Sequence, residues 1–279
     1  MPSKQKEPIK QIQWFNDHWY KVTTPKGEIA YYPSVTTKLS ASAKPFLAQW
    51  RGDIGNAEAD KRMHDAGNRG TRIHTACQKF LTGGIVFYNP IGRPVYSADA
   101  IMQELTKRNT KDYIVLQEQD EMWAVYKFQK WIEAVQPEVL FVEAMVCSHE
   151  FKEAGTLDLL LKIKAGEYAI AGAKPLKLPA GVYVADIKSG KSISDESFMQ
   201  VAAYANMVKA EYNPIGTLIL HLSNEKIRTG IQGMSTYYRS AADMVVDFRR
   251  FRNIATVWED SNEDMVPKLF EFPSMIVKD

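Results

Sequence analysis

An acid and a base lie two residues apart at the end of one apolar stretch of the sequence. The stretch is GVYVADIK, residues 181–188, and its β-branched and aromatic residues favour a strand that ends with Asp186 and Lys188. Side chains alternate between the faces of a strand, so Asp186 and Lys188 share one face. A further acid, Asp158, lies near the start of a second apolar stretch, AGTLDLLLKI. If the two strands are neighbours, both carboxylates lie at the same end of a sheet.

Two carboxylates at one place repel each other and lose hydration unless a cation or a proton compensates them. Oxygen ligands of this kind suit Mg²⁺ or Mn²⁺. The ammonium group of Lys188 would then orient a water molecule or stabilise a developing negative charge. An alternative stays open, in which Asp186 and Lys188 form a surface ion pair and Asp158 lies in an unrelated turn.

The composition is that of an ordinary soluble globular protein: 279 residues, 45% hydrophobic and 24% charged. The net charge of +2 neither indicates nor excludes a nucleic-acid partner. Cys77 and Cys147 lie far apart, which argues against a disulfide scaffold, a zinc knuckle or an iron–sulfur cluster with four cysteine ligands. No apolar run approaches the roughly 18 residues of a membrane span. The opening residues 1–14 contain no apolar signal core, so we expect a cytoplasmic protein.

The order of the elements predicts a mixed α/β (α+β) fold. A helical N-terminal portion, 1–136, is expected to pack on a sheet-containing core, 137–279, as one compact unit. In the N-terminal portion we predict loosely ordered first residues, a β-hairpin at 18–34, helical pieces from 34 to 81, a Gly/Pro-rich connector at 82–97, and helices at 98–109 and 117–135. In the core we predict two strands around the turn HEFKEAG, strands at 182–188, 215–223 and 233–239, and helices at 194–212 and 241–258.

Four short motifs, taken in chain order, resemble those of a known family. They are FVEAMV with Glu143, AGTLD with Asp158, VADIKSGK, and QVAAYA with Gln200 and Tyr204. This series resembles the PD-(D/E)XK nuclease superfamily, in its RecB-like branch. Upstream, AGNRGTRIHTACQKFL is similar to the family's helix with a metal-binding histidine, which is His74 here. YYPSVTTKLS resembles the N-terminal signature of the mitochondrial genome maintenance exonuclease group, and the resemblance covers roughly residues 31–260.

The resemblance implies a restriction-endonuclease-like core, in which helices flank a central mixed sheet. It also implies a divalent-metal-dependent DNA exonuclease that prefers single strands or free ends and uses one or two Mg²⁺ or Mn²⁺ ions. Lys188 would assist the attacking water, Glu143 would be a supporting acid, and Gln200 and Tyr204 would position the site. The implied metal ligands are His74, Asp158, Asp186 and the main-chain carbonyl of Ile187, and the implied phosphate contacts are Ser189 and Lys191.

The helical segment 44–80 combines basic and aromatic residues, which suits single-stranded DNA because the phosphates are neutralised while exposed bases stack. The alternative is a solvated helix face whose charge is balanced by Asp53, Glu58, Asp60 and Asp65. The candidate contacts that we single out are Trp50, Arg51, Arg69 and Arg72.

Each site residue also has a structural alternative. In this alternative His74, which shares a helix face with Cys77 and Leu81, is a core histidine. Gln200 and Tyr204 serve packing alone, and Glu143 is a strand residue that faces solvent. At the level of function, the alternative is an inactive nucleic-acid-binding or accessory protein of recombination or replication with the same fold. A third alternative is a glycosidase, which would use two acids at its centre but has no need of Lys188, of His74 or of the QVAAY helix. Membrane partners are not expected, and a bacterial or bacteriophage setting with a role in DNA recombination or repair suits the chain best.

Overall fold

The structure is a computed structural model that describes residues 9–15, 17–170, 174–223, 234–267 and 275. The strands in the described residues are β1 (Lys10–Trp14), β2 (Asp17–Thr23), β3 (Ile29–Pro33), β4 (Ile85–Tyr88), β5 (Tyr113–Leu116), β6 (Glu138–Ser148), β7 (Glu153–Ile163), β8 (Gly166–Tyr168), β9 (Leu176–Leu178), β10 (Gly181–Lys188), β11 (Gly216–His221) and β12 (Ser235–Ser240). The helices are α1 (Val35–Leu39), α2 (Pro45–Ile54), α3 (Asn56–Leu81), α4 (Ala98–Lys107), α5 (Gln119–Val135), α6 (Asp195–Met207), α7 (Lys209–Tyr212) and α8 (Ala241–Ser261).

The centre of the fold is a mixed five-stranded sheet with the order β12-β11-β10-β7-β6. Strands β10 and β11 run parallel because helix α6 connects them, and the other neighbours are antiparallel. The predicted alternation along β10 is confirmed. Tyr183, Ala185 and Ile187 pack with α3 and α5 on one face, whereas Val184 packs with α6 and α8 on the other. The predicted mixed α/β architecture is therefore confirmed, and Asp158 and Asp186 do lie on neighbouring strands.

The N-terminal portion contains more strands than the sequence predicts. The predicted hairpin is a three-stranded antiparallel sheet, β1-β2-β3. The predicted connector at 82–97 contains β4, which pairs in parallel with β5. Both strands have four residues, too few for a recognisable period. The long excursion before β10 contains the antiparallel pair β8 and β9. Loose order was predicted for the first ten residues; residues 1–8 lie outside the described residues, whereas Lys10 begins β1. Gly233, at the start of one predicted strand, also lies outside the described residues.

A buried ionic network joins the YYPSVTTKLS motif to the core. Ser34 caps α1 by accepting a hydrogen bond from the Thr37 N–H. Lys38 is fully buried, and its Nζ donates to Glu153 Oε2 at 3.2 Å and to Glu259 Oε1 at 2.5 Å. Arg252 contacts the same two acids. Two cations therefore face two carboxylates, and they tie α1 to the first residue of β7 and to α8. Within the described residues, no helix is both long and apolar enough to cross a membrane.

We expect Lys38→Met to destabilise the protein by about 3–5 kcal/mol, because it removes one partner from a buried charge network. Burial already raises the pKa of Glu153, against the opposing effect of Lys38 and Arg252. Urea unfolding measures the change. The matched control is Lys44→Met, since the Lys44–Glu196 pair is 42% and 25% exposed and is expected to contribute at most about 1 kcal/mol. Equal losses for both variants would contradict a structural role for the buried network.

Candidate active site

Asp158 and Asp186 lie where β7 and β10 stop pairing. The antiparallel ladder between these strands ends at the pair Ala185 and Leu159, and the two aspartates are the next residues on each side. Asp158 Oδ2 accepts a hydrogen bond of 2.7 Å from the Ile187 N–H. A carboxylate thus takes a main-chain donor of β10 just beyond the end of the ladder. We call this point the fork.

Two further ligand atoms, from His74 and Glu143, converge on Asp158 at the fork from separate elements. One ligand atom each of His74, Glu143 and Asp158 lies within 4.8 Å of the others. His74, on α3, places Nδ1 3.4 Å from Asp158 Oδ2. The register between β6 and β7 puts Glu143 opposite Asp158, since the pairs on either side are Val142 with Leu159 and Ala144 with Leu157.

Glu143 has a left-handed backbone conformation, with φ +52°. Such a conformation is costly for a residue with a side chain and is concentrated at functional sites. The structure thus keeps an unfavourable backbone at the position that aims an acid toward Asp158. This feature has no signal in the sequence, because glutamate in an apolar strand predicts a regular extended residue.

Asp186 faces Lys188 rather than the group of three. Asp186 is 2% exposed, and Lys188 Nζ lies 3.2 Å from its Oδ1 and 2.9 Å from its Oδ2. Hydrogen-bond geometry is satisfied at Oδ1, whereas Oδ2 has no hydrogen-bond donor among the described residues. The site therefore contains a buried carboxylate oxygen with unused capacity to accept.

A chain of hydrogen bonds from α6 also holds Lys188. Nζ donates to Gln200 Oε1 at 3.0 Å, and Gln200 Nε2 donates to the Tyr204 hydroxyl at 3.1 Å. The ammonium can only donate, so the amide must present its oxygen to Lys188 and its nitrogen to Tyr204. The Tyr204 ring lies against Gly155, where an added Cβ would be only 2.3 Å from Cε1. The glycine of the AGTLD motif is thus needed for the position of Tyr204.

Burial and mutual repulsion shift the titration of these groups. Burial and the charge of Asp186 raise the pKa of Asp158 well above the ordinary range. The pKa of Glu143 is raised for the same two reasons. Burial lowers the pKa of His74, against the attraction of Asp186. Burial also lowers the pKa of Lys188, but the charges of Asp186 and Asp158 outweigh it and the net shift is upward.

The donor set fits a divalent cation. Carboxylates of Glu143 and Asp158, the imidazole of His74 and the unused oxygen of Asp186 are of the types that bind Mg²⁺ or Mn²⁺. The Ile187 N–H donates to Asp158 Oδ2, so the main chain of Ile187 lies beside the same group. A bound cation would compensate the repulsion that raises the carboxyl pKa values.

The basic residues that we singled out for DNA are already paired within the chain. Arg51 contacts Asp60 at 2.8 Å, as the balanced-face alternative expects. Arg69 and Arg72 instead contact Asp120 and Glu121 of α5, at 2.5 Å and 2.6 Å. Part of the charge of each of these guanidinium groups is therefore compensated within the chain. Trp50 is half-buried on α2, Ser189 is half-buried after β10, and Lys191 is exposed.

Tyr20 is a further residue near the site that was not predicted from the sequence. Tyr20, on β2, is buried, and its hydroxyl forms a 3.0 Å hydrogen bond with Thr156 Oγ1, two residues before Asp158. Burial raises the pKa of Tyr20, with a smaller upward contribution from the charge of Glu143. The two hydrogen-bonded residues are 136 positions apart in the chain, so no local pattern links them.

The chain matches no protein-family model, and a search of curated proteins finds no significant relative. A functional assignment therefore depends on the geometry of the fork and on the order of its residues in the chain.

We expect Asp158→Asn to stabilise the metal-free protein at pH 8, raising the thermal midpoint in EDTA by about 2–4 °C. The folded chain holds the Asp158 proton to higher pH than the unfolded chain, so this contribution to stability is lost as pH rises from the ordinary carboxyl range through the raised pKa. Asparagine keeps an acceptor for the Ile187 N–H without the charge. Thermal unfolding in EDTA and in Mn²⁺ measures the effect. Asp60→Asn, at an exposed ion pair, is the control. If Asp158→Asn lowers the thermal midpoint in EDTA while Asp60→Asn leaves it unchanged, the expectation is contradicted.

Proposed function

We propose that this chain is a divalent-metal-dependent nuclease with a restriction-endonuclease-like core. In this proposal it acts as a DNA exonuclease of the PD-(D/E)XK superfamily, in the RecB-like branch. The observation that carries the proposal is the fork: acids from two neighbouring strands, a histidine from α3 and a lysine held by α6 lie together at one end of the sheet. Their types suit phosphodiester hydrolysis, and their order in the chain resembles the motif order of the superfamily.

When bound, one or two divalent cations would compensate the phosphoryl charge and lower the pKa of the attacking water. Asp158, Asp186, Glu143 and His74 are the residues of the chain that would hold it, with the Ile187 carbonyl beside them. Burial keeps the pKa of His74 low, so its imidazole is neutral at physiological pH and has a lone pair for a metal. An imidazole in the set favours Mn²⁺ slightly over Mg²⁺.

Lys188 acts as a hydrogen-bond donor in this proposal. In the metal-free protein the charges of Asp186 and Asp158 raise the pKa of Lys188, so Nζ is protonated and donates. Asp186 and Gln200 hold Nζ on two sides and leave its third proton for the attacking water or for a phosphate oxygen. Tyr204 fixes the Gln200 amide and thus contributes to the position of Lys188.

The DNA backbone would pass the residues that follow Lys188. Ser189 and exposed Lys191 are the proposed phosphate contacts, and they lie between the end of β10 and the start of α6. Helix α3 packs on one face of the sheet and α6 on the other, and both contribute side chains to the fork. Trp50 and Arg51 on α2 are the proposed contacts for a single strand further from the fork.

Cleavage of end-labelled DNA tests this proposal. Linear single strands, linear duplex and circular single strands are incubated with Mg²⁺, Mn²⁺ or EDTA. We expect metal-dependent loss of linear single strands while circles are spared, and we expect Asp186→Ala to be inactive. Lys188→Ala is expected to lower the rate by roughly 10²–10³-fold, the effect of removing one donor to a developing charge. Lys162→Ala, at an exposed ion pair on β7, is the control that keeps full activity.

Absence of cleavage on every substrate, with DNA binding intact, would support the accessory-protein alternative instead. Full activity of Lys188→Ala would remove this lysine from the mechanism. Cleavage of circular strands would indicate an endonuclease instead of an exonuclease, because a circle has no free end.

A further inference from the structure

The segment between β10 and α6, residues 189–194, is held by donors from two directions. Arg69 Nη1 donates to the Ser189 carbonyl at 2.8 Å. His221 Nε2 forms a 2.8 Å hydrogen bond with the Gly190 carbonyl. A carbonyl only accepts, so Nε2 of His221 carries the proton in this contact. The first two residues after Lys188 are therefore fixed by α3 on one side and by β11 on the other.

The same guanidinium also joins α3 to α5. Arg69 Nε donates to Asp120 Oδ2 at 2.5 Å, so a single side chain connects α3, α5 and the segment after β10. At the next residue, Gly70, the backbone of α3 lies close to Ser189: a Cβ added there would be 3.7 Å from Ser189 Oγ. The RG pair of the AGNRGTRIH motif thus forms the contact between α3 and the end of β10.

This contact lies between two parts of the fork. Ser189 directly follows Lys188, and His74 is one helical turn beyond Gly70 on α3. Arg69 therefore connects the helix that carries His74 to the strand end that carries Asp186 and Lys188. Residues of this outer kind, which orient ligands without touching the metal, affect metal affinity strongly.

Arg69 is also poorly placed to bind a phosphate. Its side chain is 21% exposed, and its charge is compensated by Asp120. The remaining nitrogen, Nη2, is buried and has no acceptor among the described residues. Two of its nitrogens are thus committed to protein acceptors, and the third does not face solvent.

We propose that Arg69 is a positioning residue, which sets α3 and its His74 against the end of β10, and that it does not contact the DNA backbone. The catalytic part of this inference rests on the proposed nuclease function. The effect of Arg69 on metal binding is measured without DNA, so a failure of this inference can be distinguished from a failure of the nuclease proposal.

Three variants separate the two roles of Arg69. Arg69→Met removes the guanidinium, Arg69→Lys keeps a charge but cannot span both acceptors, and Asp120→Asn removes the carboxylate while leaving Arg69 in place. Arg62→Met, on the exposed side of α3 where Arg62 pairs with Glu58, is the matched control. Mn²⁺ affinity is measured by electron paramagnetic resonance. Binding of a fluorescent single-stranded oligonucleotide is measured in EDTA at several salt concentrations.

For a positioning residue we expect Arg69→Met to weaken Mn²⁺ binding roughly 10–100-fold. The salt dependence of DNA binding should stay as in the wild type. Arg69→Lys and Asp120→Asn should weaken Mn²⁺ binding in the same direction, and Arg62→Met should not. With DNA and saturating Mn²⁺, Arg69→Met should lower kcat and leave KM unchanged.

A phosphate contact gives the opposite pattern. Arg69→Met would then reduce the slope of log Kd against log salt by about one and leave Mn²⁺ affinity unchanged. Asp120→Asn would release the guanidinium and tighten DNA binding. That pattern would overturn the inference, and so would a wild-type protein that binds no Mn²⁺. A wild-type protein that binds Mn²⁺ but neither binds nor cleaves DNA would overturn the nuclease proposal alone. In that case the Mn²⁺ titrations still decide the role of Arg69.

Discussion

Burial and mutual repulsion of three carboxylates are the constraint on which the site depends. Asp158 and Asp186 lie on adjacent strands just beyond the last ladder pair, and Glu143 adds a third acid from β6. One ammonium group, that of Lys188, lies among them, and it is held mainly by Asp186. Burial raises the pKa of Asp158 and Glu143, so the fork favours a proton or a cation over bare negative charge. A fold that maintains this arrangement gives up stability that an apolar fork would retain.

The surrounding structure supports the fork from three directions. The Lys38 network fixes the first residue of β7, five positions before Asp158. Helix α6 fixes Lys188 through Gln200 and Tyr204, and the small Gly155 makes room for the tyrosine. Helix α3 supplies His74 and is fastened to the end of β10 through Arg69. Segments that are far apart in the chain therefore determine the relative positions of a few side chains.

Local periodicity predicted much of this arrangement. The alternation along residues 181–188 placed Asp186 and Lys188 on one face, and the four-residue spacing of Gln200 and Tyr204 placed both on one side of a helix. The first two features depend on neighbours in sequence alone, which is why the pattern of residue types was sufficient. The adjacency of Asp158 and Asp186 was expected only on the condition that their strands pair, and the structure supplies that pairing.

The contacts that the sequence did not predict connect distant residues or depend on backbone conformation. The acidic partners of Arg69 and Arg72 lie on α5, 51 and 49 residues away in the chain. The sequence of α3 indicates a basic surface, but part of that surface contacts α5 instead. Tyr20 reaches Thr156 from the N-terminal sheet, and nothing in its own surroundings indicates this. Glu143 has a left-handed conformation inside a strand whose residue types indicate extended backbone. The short strands β4 and β5 form because each provides the other with a partner, which single-segment patterns do not record.

The most direct test of the central claim is anomalous diffraction from crystals of the protein soaked in Mn²⁺. We expect a manganese peak at the fork, at coordination distance from Asp158, Asp186 and the His74 imidazole, and no such peak in crystals of Asp158→Asn. A manganese peak elsewhere, with Lys188 still paired to Asp186 and the fork empty, would contradict the assignment of these residues as a divalent-metal site.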